Sequence, residues 1–200
     1  MLKIGITGGI GVGKTVVARM FKLLGIPVYD SDSRAKWVMH HDDSLKADLI
    51  AAYGSQAFNE QGELDRAYIA SIVFNNPEKL QRHNSLVHPH VRNDFEKWVK
   101  QHTGKPYVIK EAALMYESEA WKQIDKMIAV YAPMDVRIKR LLLRDKHRTE
   151  ADIRTIISKQ LSEEEKMARA DYIVTNDDQR MIIPQVLSLH KQFLELASAN

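Results

Sequence analysis

The stretch Gly8-Gly9-Ile10-Gly11-Val12-Gly13-Lys14-Thr15 decides how the rest of the chain is read. It fits G-x-x-x-x-G-K-[ST], the pattern of a loop that cradles phosphate. Before it, Leu2-Lys3-Ile4-Gly5-Ile6-Thr7 is a short apolar run that predicts a buried strand. After it, Val17, Met20, Phe21 and Leu24 recur at helical spacing. The loop therefore falls between a strand end and a helix start. Glycines lack Cβ, so the backbone there curls tightly and turns its N–H groups inward. The first helical turn adds donors without intrahelical acceptors and the positive end of the helix dipole. The expected nucleotide contacts are Gly8, Gly9, Gly11, Val12, Gly13, Lys14, Thr15 and Val16. Lys14 reaches the β- and γ-phosphates and so takes part in catalysis, and the Thr15 hydroxyl ligates Mg²⁺.

Composition narrows the class. A chain of 200 residues suits one α/β domain with an insertion, or two small lobes. At 44% hydrophobic it can bury a sizeable core. It has no cysteine, which excludes a disulfide framework and a thiolate metal site and allows a reducing, cytoplasmic setting. No apolar run is long enough to span a membrane. Ile4 and Ile6 lead straight into the glycines with no cleavage region, so no secretory leader is expected. A net charge of +3 suits anionic ligands but is too mild to argue for nucleic acid. The expected partner is a small molecule, bound by a monomer or small homo-oligomer without nucleic acid or membrane.

Past the first helix, Gly25 is a C-cap and Pro27-Val28-Tyr29 predicts a second strand. It ends on Asp30-Ser31-Asp32-Ser33, where Ser31 or Asp32 caps the next helix. Carboxylates at this edge of a parallel sheet also sit where ligands bind in open α/β folds. Residues 35–102 form a long, mostly helical excursion, punctuated by Gly54 and Gly62, with Asn76-Pro77 as a cap and first-turn proline. This exceeds what one covering helix needs, and predicts a separate substrate-binding lobe between core segments 1–34 and 103–200. His88-Pro89-His90 interrupts the last helical pattern. With no partner ligands at metal-site spacing, it suggests a hydrogen-bonding or packing role at a kink.

Further strands are expected at Tyr107–Glu111, Lys126–Tyr131 and Ala170–Asn176, with a short helix starting at Ala112-Ala113-Leu114-Met115-Tyr116-Glu117. Glu111 lies where many phosphate-loop proteins carry a strand-end acid for Mg²⁺, and is otherwise a solvated edge carboxylate. Arg137, Arg140 and Arg144 share one face of a helix that starts after Pro133. Alone this stripe is a solvated face; beside a phosphate loop, arginines suit the charge of phosphoryl transfer. Thr149-Glu150 starts another helix, and Ser162-Glu163-Glu164-Glu165 has capping-box spacing.

Taken together, these stretches resemble the dephospho-coenzyme A kinase family. The resemblance spans nearly the whole chain: the loop with Thr7, Asp30-Ser31-Asp32, Leu86-Val87-His88-Pro89, Ala113 to Glu117, Arg140, Arg144-Asp145, Gln160, and Ala170 to Asn176. It implies transfer of the ATP γ-phosphoryl group to the ribose 3′-hydroxyl of dephospho-coenzyme A, the last step of coenzyme A synthesis, with Mg²⁺. It implies an α/β phosphate-loop core with a five-stranded parallel sheet, a helical acceptor lobe and a lid over about 144–165. By that resemblance Asp32 is the base, Arg140 takes part in catalysis and, with Arg144, binds nucleotide, Asn176 lies near the adenine, and Asp32, Lys36, His88 and Glu117 bind the acceptor. The chain departs from the family at Lys36, where arginine is frequent, and in the polar stretch around Glu111. A nucleotide kinase of the adenylate kinase type shares the loop, insertion and arginines and differs only in its acceptor. A regulatory GTPase switch would need D-x-x-G and N-K-x-D, which the sequence lacks.

Overall fold

The computed structural model describes residues 1–73 and 76–199. The chain forms two compact units, Met1–Asp30 with His102–Asn200, and Ser31–Gln101. The elements in chain order are β1 (Leu2–Thr7), α1 (Lys14–Leu23), β2 (Val28–Asp30), α2 (Ser31–His41), α3 (Asp43–Tyr53), α4 (Arg66–Val73) and α5 (Pro77–Lys100). They continue as β3 (Tyr107–Glu111), β4 (Lys126–Tyr131), α6 (Met134–Arg144), α7 (Glu150–Ser158), α8 (Glu163–Arg169), β5 (Tyr172–Thr175) and α9 (Ile182–Ser198).

In the first unit, five strands pair in parallel in the order β2-β3-β1-β4-β5. β1 is central, and Ile4 to Thr7 are buried without alternation, as expected for a parallel strand covered on both faces. Val17 and Phe21 of α1 and Val186, Leu189 and Phe193 of α9 pack on Ile4, Ile6, Ile109, Ile128 and Val130. The Phe193 ring meets Tyr172 and Tyr107 with centroids 5.2 and 5.5 Å away. Each such fully buried side chain contributes about 1.5–3 kcal/mol. Parallel strands bring their carboxyl ends to one edge of the sheet, where ligands bind in such folds. The glycine loop leaves β1 there. Asp30 and Glu111, the last residues of β2 and β3, are direct partners in the strand register at that same edge.

The second unit is helical. Val38, Leu45, Leu49, Ile69, Val73 and Val87 form its core. The Asp42 carboxylate accepts the N–H groups of Ser44 and Leu45 at the start of α3, each at 3.1 Å, and the Asn76 side chain accepts the Lys79 N–H at 3.0 Å at the start of α5.

Three local expectations change. α2 begins at Ser31, directly after Asp30 of β2, so Asp32 stands inside the first turn, and among the described residues the buried Ser31 hydroxyl has no hydrogen-bond partner. α5 continues as one helix past Pro89, with Val87 and Phe95 buried on either side of the proline. The residues after Ala112 form successive turns, and then a 3₁₀ turn at Ala120–Gln123, in place of a short α-helix. Burial of Met115 and Tyr116 against Met127 sets that path.

Candidate active site

The loop between β1 and α1 is held from outside by side chains far along the chain. Glu163 accepts the Gly9 N–H at 2.9 Å, and Gln160 accepts the Ile10 N–H at 2.9 Å. Arg137 donates through Nε to the Ile10 carbonyl at 2.9 Å, and the Asn176 amide donates to the Val12 carbonyl at 2.7 Å. Among the described residues, none accepts from the N–H groups of Gly11, Gly13 or Thr15. These stay available to an anion, together with the helix dipole. Gly13 sits at φ 92°, a left-handed conformation, and a side chain there would run into Asn176. Lys14 folds back over the loop and donates to the carbonyls of Gly8 at 2.9 Å and Gly9 at 3.3 Å. Val16, in the first turn of α1, is exposed.

The strand-end acid has a role that its position alone left open. Glu111 is buried, and the Thr15 hydroxyl donates to its carboxylate at 2.8 Å. It is therefore a partner of the phosphate loop and not a solvated edge group.

The arginine stripe on α6 splits into three environments. Arg137 is 2% exposed, 3.4 Å from Glu163, and burial lowers its pKa against the pull of nearby carboxylates. Arg140 donates to the Asn176 side chain at 3.0 Å and pairs with Asp178, and its Nη1 is buried with no hydrogen-bond partner among the described residues. Arg144 is 61% exposed and bonds its neighbour Asp145. The face thus runs from the loop out to solvent. Arg140→Lys should raise the KM for ATP roughly tenfold, because a single ammonium cannot hold Asn176 and Asp178 and also present a free N–H. Steady-state kinetics at varied ATP test this; an unchanged KM would reduce Arg140 to a surface ion pair.

The segment expected to be a lid contains α7 and the start of α8. Thr149 and Asp152 form a capping box that starts α7, and the Ser162 hydroxyl accepts the Glu165 N–H at the start of α8. Ile153 and Ile157 of α7 pack with Ile138, Leu141 and the loop residue Ile10. Glu117 accepts the Leu161 N–H at 3.0 Å and lies 3.9 Å from Lys166. Lys166 is fully buried, 3.8 Å from Glu163; burial lowers its pKa, opposed by Glu163 and Glu117.

In the second unit, Asp32 and Lys36 are exposed on α2. His88 is partly buried in α5, and its pKa is lowered by burial first, then by Arg92 and His83. Arg34 bonds Asp94 through Nε at 2.8 Å and stacks on Trp37 at 4.1 Å. Arg34, Trp37 and Asp94, but not Asp32, Lys36 or His88, border a cleft of about 760 Å³ that also includes Lys97 and Trp98. Among the described residues, no cluster of three or more acidic, histidine or cysteine side chains is arranged to hold a metal ion.

A family model described as dephospho-CoA kinase matches residues 2–181, from β1 to the start of α9. This chain belongs to the dephospho-CoA kinase family. It is 35% identical to the dephospho-CoA kinase of Bacteroides fragilis over 188 residues, which is 94% of this chain and 91% of that protein. It is 36% identical to the dephospho-CoA kinase of Geobacillus kaustophilus, covering 96% of each. A crystal structure from Thermus thermophilus superposes with a TM-score of 0.83 at 28% identity, covering 96% of both chains. Of the residues expected to bind nucleotide, Asn176 bonds the loop at Val12 and Arg140 bonds Asn176. Sequence reasoning missed the bracing of the loop by Glu163 and Arg137 and the Thr15–Glu111 bond. For the first, the only signal was three acids after Ser162, which read as a cap.

Proposed function

We propose that this chain transfers the γ-phosphoryl group of ATP to the ribose 3′-hydroxyl of dephospho-coenzyme A, giving coenzyme A and ADP. Family membership over residues 2–181, with the phosphate loop intact, carries this reading. We take the reaction to be cytoplasmic, where ATP is available, and the second unit to receive the acceptor. Its cleft, bordered by Arg34, Lys97, Trp37 and Trp98, offers cations and aromatic surface to a nucleotide-bearing molecule.

In this reading the free N–H groups of Gly11, Gly13 and Thr15, with Lys14, bind the β- and γ-phosphates. Lys14 exchanges its bonds to the Gly8 and Gly9 carbonyls for phosphate oxygens. Arg140 and Asn176 steady the nucleotide end of the loop, and Arg144 adds charge from the exposed end of the helix. Asp32 accepts the proton of the 3′-hydroxyl late, as the new phosphorus–oxygen bond forms and the bond to the ADP oxygen breaks. Lys36 and His88 contact the acceptor, while Glu117 acts by holding the segment at Leu161.

The residues present fit Mg²⁺. The Thr15 hydroxyl would ligate it, with Glu111 and its strand partner Asp30 as the nearby carboxylates. A site with few protein ligands suits this ion, which keeps waters and binds substrate phosphates. Bound Mg²⁺ would neutralise charge on the phosphates. Glu111→Gln should raise the Mg²⁺ concentration needed for half-maximal rate several-fold, since it keeps the acceptor for Thr15 and loses the charge. An unchanged Mg²⁺ titration would leave Glu111 as a support for Thr15 alone.

Isolation of the product formed from ATP, Mg²⁺ and dephospho-coenzyme A tests the function. Phosphorus NMR and mass spectrometry should find one new monophosphate on the ribose 3′-oxygen. Phosphate at another position, or no product, would overturn the reading.

A further inference from the structure

We propose that Glu163 and Gln160, which flank the start of α8, are positioning residues that set the affinity of the phosphate loop for the triphosphate of ATP. The proposal rests on the ATP reading above. The two side chains accept from consecutive loop amides, Gly9 and Ile10, across 154 and 150 positions of sequence. On the same peptide segment Arg137 holds the Ile10 carbonyl, so donor and acceptor sides are both fixed.

A glycine-rich loop has more conformations to lose on binding than any other. A loop already held in its bound shape spares the ligand that ordering cost. The bonds from Glu163 and Gln160 engage the amides of Gly9 and Ile10, while those of Gly11, Gly13 and Thr15 have no acceptor among the described residues. That division of N–H groups is what an anion site requires.

Charge supports the assignment. A carboxylate at the Gly9 amide would repel phosphate unless neutralised. Arg137 lies 3.4 Å and Lys166 3.8 Å from the same Glu163 oxygen. Lys166 is fully buried, and among the described residues its Nζ finds no hydrogen-bond partner, so it acts there as a compensating charge. Space agrees as well. A Cβ on Gly9 would collide with both Glu163 and Arg137, so the network approaches as closely as it does only because residue 9 is glycine.

The test compares the wild type with Gln160→Ala, Glu163→Ala and Glu163→Gln. Equilibrium binding of a fluorescent ATP analogue is read without acceptor, alongside KM for ATP, KM for the acceptor and melting temperature. Gln160→Ala and Glu163→Ala should each weaken nucleotide binding about tenfold, and raise the KM for ATP equally, with the acceptor KM unchanged. Glu163→Gln keeps an oxygen for the Gly9 amide and should restore most of the affinity while melting lower, because Arg137 and Lys166 lose their counter-charge. Gln160 is only partly buried, so its alanine variant remains informative if Glu163→Ala does not fold. Wild-type nucleotide affinity in a folded Gln160→Ala, or a parallel rise in both KM values, would overturn the proposal. A wild type that binds no ATP analogue would overturn the ATP reading, and this proposal with it.

Discussion

Lys14→Ala is expected to lose at least about 10²-fold in turnover while the protein stays folded. Lys14 is the cation seated on the loop itself, with Nζ within 2.9 and 3.3 Å of two loop carbonyls. The transferring phosphoryl group spreads negative charge over its outer oxygens, and a fixed ammonium beside them favours that state over the ground state. Loss of one such contact typically costs about 3 kcal/mol. The stability cost is smaller. Lys14 is half-buried, and its bonds to the carbonyls are worth about 1–2 kcal/mol together after solvent exchange. Turnover and circular dichroism on one preparation separate the effects. A folded variant with wild-type turnover would contradict the phosphate-loop reading.

Asp32→Asn is expected to bind ATP normally and to lose at least about 10²-fold in turnover, the lower end for a positioned general base. A ribose hydroxyl is a poor nucleophile at neutral pH, and its proton must leave during transfer. Asp32 follows Asp30, the last residue of β2, with only Ser31 between them, and stands in the first turn of α2. A purely structural Asp32 would act through the helix dipole, and asparagine would cost only about 0.3–1 kcal/mol in stability with normal turnover. The two readings therefore differ in kcat and not in melting temperature. Near-normal turnover would move the base to Asp30, whose register partner is Glu111, or remove it.

What could be read from the sequence follows the range of the interaction. The phosphate loop was legible because its glycines, Lys14 and Thr15 act within one turn of chain. The five strands were legible as short apolar runs, and in the three inner strands β3, β1 and β4 continuous burial leaves no alternation to confuse them. Caps at Asn76, Thr149 and Ser162 were legible for the same local reason. Pro89 lies inside α5, where buried Val87 and Phe95 flank it, so the helix assignment continues past the missing N–H. The turns after Ala112 misled because helix-like composition gave way to burial of Met115. Glu163 and Gln160 were beyond local reading: their partners lie 154 and 150 positions away, and no periodicity records a contact at that range. The arginine spacing placed three side chains on one face correctly, yet it could not tell that Arg137 is buried and Arg144 exposed.

The most direct test of the account is a comparison of acceptors under one set of conditions. ADP formation is measured with ATP and Mg²⁺ on dephospho-coenzyme A, AMP, CMP and adenosine in parallel, and kcat/KM is compared. The account predicts that dephospho-coenzyme A is phosphorylated far faster than any of the others. Comparable turnover of AMP, with none of dephospho-coenzyme A, would contradict it and leave only the kinase fold standing.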